Sequence, residues 1–422
     1  MPHQVALTIV ATVADGRVEE LETLLHDLGG SPGGPPFDRI PTLHFARLFV
    51  LEATEDLAGT AIPPRLVFLS DIDAPVGPYL TTLVDAFGTM LDEIFGHCVG
   101  YPVEGSRTKA DRIAYLERRT VGTAAAYVNT VGRSVEQIRR EAELRRAIEG
   151  FLDGSDRDWS RVTPTEIRAA IRGFVFGEEA LGWARRPAAR PELSWRAKEA
   201  AHAILAPLLV LLLLPLIIIV LPVWAVILRV HERSDVPEDD RPDPSHVDAL
   251  TAVEDRVVQN PFTATGFLKP GAFRRLTFEA VLRIVSYGVR HVYNRGRLSG
   301  IKTIHFARWV FIDGKRRLFF ASNYDGSQES YMDDFIDKVA WGLNAVFSNG
   351  QGYPRTNWLV RDGAKNEEAF KRYLRVHQVL APVWYSAYSD VTASNVENNA
   401  RIRAGLYGDM TSEEAAAWLR RL

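Results

Sequence analysis

Two stretches of the sequence repeat each other closely, and this repetition constrains the fold more than any other feature. Residues 42–52 read TLHFARLFVLE, and residues 303–313 read TIHFARWVFID. Farther along, residues 65–102 align without a gap with residues 317–354. A period of this length predicts two domain-sized copies within one chain rather than a solenoid of short repeats.

Each copy shows the same order of hydrophobic patterns. Alternating strands and helically spaced segments predict the order βαββαβ, with one extra helix before the last strand. This order is that of a ferredoxin-like α+β unit, an antiparallel sheet with helices on one face. Because the other face of such a sheet needs cover, we expect the copies to pack sheet against sheet. The predicted divisions are repeat 1 (1–155), a helical and basic linker (156–202), a hydrophobic membrane segment (203–230), an acidic, proline-rich linker (231–257) and repeat 2 with C-terminal helices (258–422).

The segment between the copies contains an uncharged apolar run at residues 203–228. As a helix this run would be about 39 Å long, which is enough to cross a bilayer with tilt. Pro215 lies near its middle, and basic residues flank both ends. A single span would put the two copies on opposite sides of the membrane. We therefore expect a re-entrant hairpin or deep kinked anchor with both copies on the cytoplasmic side, and a kinked single span is the alternative.

Composition excludes some classes of protein. The chain has 422 residues, of which 46% are hydrophobic and 24% are charged, and its net charge is −3. Such a balance gives no basic field for nucleic acid. The single cysteine, Cys98, excludes an intramolecular disulfide framework and a cysteine zinc cage.

A duplicated βαββαβ unit resembles the dimeric α+β barrel superfamily, which includes dye-decolourising peroxidases, chlorite dismutases and cofactor-free monooxygenases. The segment SNYDG (322–326) is similar to the peroxidase Gly-x-x-Asp-Gly signature, with Ser322 at the first glycine. Only Asp325 and Gly326 carry over. The resemblance implies oxidoreductase chemistry with a haem whose iron His377 or His305 would ligate. It also implies that Asp325 and a nearby arginine would handle the peroxide proton.

Differences between the copies point to the second copy as the one that carries a site. It adds aromatic side chains at Trp384 and Tyr388, and it places asparagines, which are poor helix formers, on a predicted helix. The candidate residues are, for catalysis, Asp325, Arg308, Tyr385 and Arg401; for the cofactor, His377 and His305; and for the substrate, Trp384, Tyr388, Asn395 and Asn399. No metal is expected beyond haem iron.

The repeated HFAR motif also has a structural interpretation. In a regular strand His305 and Arg308 face opposite sides, so they serve one site only if a bulge intervenes. In that interpretation His305 is hydrogen-bonded within the core and Arg308 pairs with Asp325.

These observations predict a membrane-anchored protein that binds or acts on a hydrophobic, lipid-derived small molecule. Three hypotheses stay open: a haem-dependent peroxidase-like oxidoreductase, a non-enzymatic lipid-binding or assembly scaffold, and a cofactor-free oxygenase that uses Tyr385, Trp384 and His377. The expected partners are the lipid bilayer, the small molecule and, in a homo-oligomer, a second copy.

Overall fold

The computed structural model describes residues 4–30, 34–105, 107–188, 193–293 and 298–422, with backbone only at 194–196. In the first half the elements are β1 Gln4–Thr12, α1 Val18–Gly30, β2 Leu43–Leu51, β3 Thr54–Glu55, β4 Ala61–Ile62, β5 Arg65–Asp73, α2 Val76–Phe87, α3 Thr89–Phe95, α4 Lys109–Arg118, β6 Thr123–Val128, α5 Val135–Asp153 and α6 Pro164–Gly177. They are followed by α7 Leu193–Ser234, α8 Pro244–Thr251, β7 Gln259–Phe267, α9 Ala272–His291, β8 Ile304–Ile312, β9 Arg317–Asp325, α10 Gln328–Phe347, β10 Thr356–Asn357, β11 Arg361–Asp362, α11 Glu367–His377, β12 Val383–Ser386, α12 Ala393–Ala404 and α13 Ser412–Leu419.

The long strands form two antiparallel four-stranded sheets. The first-half sheet has the order β1-β5-β2-β12, and the second-half sheet has the order β6-β8-β9-β7. Each sheet thus receives its last strand from the other half of the chain. This exchange was not predicted, since we expected each copy to keep its own last strand. It pairs the edges of β2 and β8, which would otherwise be open.

The segments that lead into β6 and β12 close the two sheets into one ring of strands. The segment before β6 lies along the edge of β1, where Val10 N donates to Arg119 O (2.9 Å) and Val121 N donates to Thr8 O (2.8 Å). The chain then continues into β6, which pairs with β8. Val379 N likewise donates to Thr263 O (2.8 Å) on β7 before the chain joins β2. We call this closed arrangement the strand ring. Its inner faces meet in an apolar cluster that both halves supply.

Helices cover the outer face of each sheet, as their apolar spacing predicts. The long helix predicted after β5 is interrupted, because Gly88 separates α2 from α3 with φ 54°. Its counterpart α10 continues past a non-helical Val339 at φ −140°. Glycine tolerates positive φ, so only the first copy breaks completely at this position.

Helix α7 contains the apolar run as one continuous helix. Pro207, Pro215 and Pro222 all lie inside it. The predicted hairpin, in which residues 204–214 and 216–228 would form separate arms, is therefore not what the structure shows. Residues Ala197–Ser234 are long and apolar enough to cross a membrane.

Both ends of the apolar run contact the same helix, α9, which packs on the second-half sheet. Near the start of α7, Glu199 Oε1 lies 3.0 Å from His291 Nδ1. Toward its end, Trp224 Nε1 donates to Thr277 Oγ1 (3.0 Å). Between these contacts the large side chains, such as Leu212 at 76% exposure, face away from the protein. The two contacts lie 25 residues apart on α7 (224 − 199) and 14 apart on α9 (291 − 277), and we interpret this difference as a bend of α7 that its prolines permit.

Candidate functional site

The centre of the strand ring contains two arginines that reach across between the sheets. Arg308 Nη1 on β8 donates to Leu7 O (2.6 Å) and to Thr8 Oγ1 (3.2 Å), and its Nη2 donates to Ser70 O (3.0 Å) and to Asp71 Oδ1. Arg47 on β2 makes the reciprocal set with Phe262 O, Thr263 Oγ1, Ser322 O and Asn323 Oδ1. Each HFAR arginine thus ties its own sheet to the opposite one.

The predicted pairing of Arg308 with Asp325 is wrong, because Arg308 pairs with Asp71 of the first half. Arg47 lies close enough to Arg308 for the two positive charges to repel. Burial, and secondarily that repulsion, lowers the pKa of the Arg47 guanidinium below its ordinary value, while Asp71 opposes the shift. The four acceptors on each arginine compensate the burial of the charge.

The HFAR histidines lie at one end of the strand ring, each beside an aspartate. His305 Nε2 is 2.6 Å from Asp325 Oδ1, and His44 Nε2 is 3.1 Å from Asp73 Oδ1. The second oxygen of Asp325 accepts from Ala393 N (2.7 Å), at the start of α12. Asp73 does the same for the first residue of α5. Each aspartate therefore joins a histidine to a helix N-terminus, where a negative charge is favoured.

A bulge lets His305 and Arg308 both point inward. The pairing of β8 with β9 shifts register between Ile304 and Phe306, and β2 shifts at the same place in its own motif. The ring of His305 lies 5.4 Å from that of Phe45 and 6.0 Å from that of Tyr388. Histidine and arginine thus share the interior, but they bind different partners there.

The interior around these side chains is filled. A cavity of about 10 Å³ remains, lined by residues that include Arg47, Asp71, Arg308 and Asn323. Such a space holds about one water molecule. His305 does not line this cavity, which is in any case too small for a substrate or a macrocycle.

Two predicted aromatic residues of the second half, Tyr388 and Trp384, complete this interior, whereas Tyr385 lies on the opposite face of β12 and packs against Phe37. The Tyr388 hydroxyl is 2.8 Å from His44 Nδ1, and burial raises its pKa well above the ordinary value. Trp384 Nε1 donates to Asn323 Oδ1 (3.1 Å). The Tyr385 hydroxyl accepts from Arg139 Nη2 (3.2 Å), and burial raises its pKa as well. These contacts bind the side chains to the protein itself.

The remaining polar candidates lie on α12. Arg401 pairs with Glu397 on the surface. Asn395 sits in the first turn, where its backbone N–H donates to the Thr392 side chain (3.0 Å). Asn399 is buried, and its Oδ1 has no hydrogen-bond partner. Among the contacts that the structure describes, none joins the side chains of these three residues to His305 or His377.

A separate groove runs along the seam where the second half joins the first. It measures about 780 Å³ and is lined by the ends of β2 and β7, by residues 376–382 and by linker residues 241–246. We call it the seam groove. Its apolar wall includes Leu25, Val50, Phe267, Leu380 and Pro382.

Ionisable side chains line the rest of the seam groove. His26 and Arg241 line its exposed part, while His377 and Glu22 lie partly buried. Burial, followed by the nearby Glu52, raises the pKa of the Glu22 carboxyl. An apolar wall beside a few polar groups is the usual composition of a small-molecule site, and the volume is in the usual range.

His377 and Asp325, paired by the haem prediction, lie at opposite ends of β9. His377 lines the seam groove together with Arg317, the first residue of β9. Asp325 is the last residue of that strand, about 27 Å away along nine extended residues. His377 also uses Nδ1 for Tyr373 O (2.9 Å), with the Tyr373 ring 4.2 Å away. These residues do not fit the haem arrangement, and we derive no step through it.

A haem test follows directly from this geometry. His305 lies beside Asp325 but lines no cavity described here, and His377 lines the seam groove but lies far from Asp325. We therefore expect no specific haem ligation. The protein purified from cells supplied with haem precursor should show no Soret band that His305→Ala or His377→Ala removes. A band abolished by either substitution would contradict this expectation.

One cluster of carboxylates has metal-like spacing among the residues described. Glu329, Asp333 and Glu367 bring their oxygens within 4.8 Å of one another. The Lys371 ammonium lies among them, 2.6 Å from Asp333 and 2.7 Å from Glu367. The lysine already supplies the compensating positive charge.

Sequence reasoning missed several residues that the structure makes important. Arg47 was overlooked although it is the twin of Arg308, and the repeat itself was the available signal. Glu232 and Arg317 carry no motif, and only their folded contacts reveal them.

No protein-family model, no curated protein and no solved structure matches this chain.

Proposed function

We propose that the chain is a monotopic membrane protein that binds a hydrophobic, lipid-derived small molecule without transforming it. In this proposal the strand ring is a duplicated ferredoxin-like α+β barrel. The observation that carries the proposal is that α7 exposes its apolar run while both ends of that run are attached to α9.

The exchange of β6 and β12 supports an anchor that stays on one side of the bilayer, with the continuous helix α7 lying along the membrane surface. Two halves that complete each other's sheets must lie on the same side of a bilayer. A helix that crossed the bilayer would separate them. The basic residues Lys198, Arg229 and Arg233 flank the run at both ends, which favours the cytoplasmic side.

The seam groove supports binding rather than catalysis. In the part of its lining that the structure describes, His246 and His377 hydrogen-bond backbone carbonyls, and no histidine there pairs with a serine, threonine or cysteine side chain. A nucleophile and its base normally lie within hydrogen-bond reach of each other. The filled interior around Tyr388 and Trp384 equally disfavours an oxygenase pocket.

Filling the seam groove should remove ligand binding. With the full chain held in an amphipol, Leu380→Trp should weaken binding of a fluorescently labelled dodecanoate roughly tenfold, because the indole occupies the apolar wall. The matched control is Val99→Trp, which adds the same indole at an exposed first-half position. Thermal unfolding would establish that both variants remain folded. Equal affinities for the two folded variants would refute the groove as the binding site.

A further inference from the structure

We propose that the turn between β10 and β11, with Trp358 at its tip, is a second membrane contact that docks beside α7 on an anionic lipid surface. The inference rests on the proposed membrane attachment through α7 and adds a second, separate surface to it.

The turn holds two consecutive residues in a conformation that side chains disfavour. Trp358 has φ 56° and Leu359 has φ 66°, both in the left-handed region. Residues other than glycine adopt this region only when their surroundings impose it, and such strain concentrates at functional sites.

Glu232 on α7 imposes this conformation. Its Oε2 accepts from Trp358 N (2.8 Å) and its Oε1 accepts from Leu359 N (2.6 Å) and from Thr356 Oγ1 (3.0 Å). The Glu232 side chain is completely buried, and Arg229 Nη1 lies 3.2 Å from it. The turn is therefore fastened to the last turns of α7.

This fastening places large apolar side chains outward. Leu359 is buried, whereas Trp358 is 47% exposed and its neighbour Val360 is 38% exposed. Trp341 on α10 is 53% exposed. It lies one turn from Asn344, whose side chain donates to Val360 O (3.2 Å) and so connects α10 to the turn.

The position of Trp358 matches the level at which tryptophan prefers to lie in a bilayer. Leu228 is the last residue of the apolar run, and Glu232, which binds Trp358 N, follows it by one helical turn. The turn therefore lies at the boundary between the apolar and polar parts of α7. Tryptophan is enriched at this boundary, where its ring meets both the acyl chains and the headgroups.

The charges around the turn favour an anionic lipid surface. Arg233 and Arg361 are exposed on either side of it, and Arg355 is exposed one strand earlier. The nearby Glu232 is buried and paired with Arg229, and the exposed Asp362, which is bonded to Asn357, offsets one of these three positive charges. Exposed arginines next to a membrane attract anionic headgroups.

The single cysteine makes the contact measurable. Burial raises the pKa of the Cys98 thiol to about 12, so maleimides leave it unmodified in the folded protein. An introduced cysteine at an exposed position can then carry the environment-sensitive dye nitrobenzoxadiazole (NBD). The three positions are Trp358→Cys on the turn, Leu212→Cys on α7 and Glu93→Cys on α3, which packs against the first-half sheet.

Each labelled full-length protein is mixed with vesicles of phosphatidylcholine and phosphatidylglycerol. We expect a blue shift and a rise in NBD emission at positions 358 and 212 but not at 93. Vesicles of phosphatidylcholine alone should give a smaller response at 358, and Arg361→Gln should reduce the response to the mixed vesicles.

Three results would overturn the inference, and they differ in what else they overturn. A response at 212 without one at 358 refutes the turn as a membrane contact and leaves attachment through α7 intact. No response at either position refutes the proposed membrane attachment as well. A shift at 358 that needs no vesicles but increases with protein concentration would assign this surface to a second copy of the chain.

Changing the tryptophan itself tests the energetic role of the turn. Trp358→Ala should weaken partitioning onto mixed vesicles roughly tenfold, since a half-exposed indole is lost from the interface. Trp159→Ala is the control, because Trp159 lies between α5 and α6, away from α7. Equal partitioning of the two variants would contradict the proposal.

Discussion

Arg308→Met should lower the free energy of unfolding by about 3–5 kcal/mol, the usual cost of breaking a buried ion pair by removing one partner. Arg308 is 2% exposed and binds Asp71 and two carbonyl groups of the opposite sheet. Methionine fills similar volume but leaves those acceptors without a donor and Asp71 without its countercharge. Urea unfolding of the full chain in a mild detergent, followed by circular dichroism, measures the effect.

Arg401→Met is the matched control for this prediction. Arg401 is half exposed and pairs with Glu397 on its own helix, so we expect a change within about 0.5 kcal/mol. Arg47→Met should resemble Arg308→Met, because the two arginines make equivalent cross-sheet contacts. If Arg308→Met kept its stability but lost binding of labelled dodecanoate, Arg308 would belong to a ligand site instead.

The second large effect concerns attachment to the membrane. The double substitution Leu212→Arg with Ile219→Arg should release the protein from vesicles into solution. A charged side chain costs about 2.5–3.5 kcal/mol when it replaces an apolar one at the centre of a membrane helix. Because Leu212 and Ile219 are 76% and 68% exposed, the strand ring should keep its melting temperature. Vesicle flotation and thermal unfolding give the two readings.

A pair of substitutions at other exposed valines controls for the added charge. Val99→Arg with Val253→Arg makes the same change of charge at positions that are 48% and 43% exposed. This variant should still float with vesicles. Loss of flotation in both double variants would point to a general charge effect and would contradict a specific role for α7.

The order of strands and helices could be predicted from the sequence because each element depends on a local pattern of residues. Alternation predicted β1, and the helical spacing after Thr108 predicted α4, which begins with a capping box between Thr108 and Asp111. The destination of β6 could not be predicted, because the same alternating pattern suits either sheet. Only long-range pairing with β8 decides it.

The path of the apolar run shows a second limit of sequence reasoning. Three prolines suggested a break, yet α7 is continuous. Pro207, Pro215 and Pro222 are about two helical turns apart, so they lie on roughly the same side of a helix that stays continuous. The positions of the prolines did not indicate whether the chain would turn back.

The candidate site was harder to predict than the fold. His305 and Arg308 were identified as important from the repeat, but their partners depend on a one-residue bulge that the pattern does not reveal. His377 was placed with Asp325 by resemblance, whereas strand length separates them. The seam groove combines residues from α1, the linker and β7, which no local motif connects.

The exchange of strands also bears on how the protein is made. When the ribosome has released the first half, β2 still lacks β12, which is encoded more than 300 residues later. The nascent chain therefore carries an unpaired strand edge throughout the synthesis of α7 and of most of the second half. The apolar run emerges during this interval, before the ring can close. With the attachment proposed above, the apolar run would reach the membrane before β12 is made, and the first-half sheet would be completed at the bilayer surface.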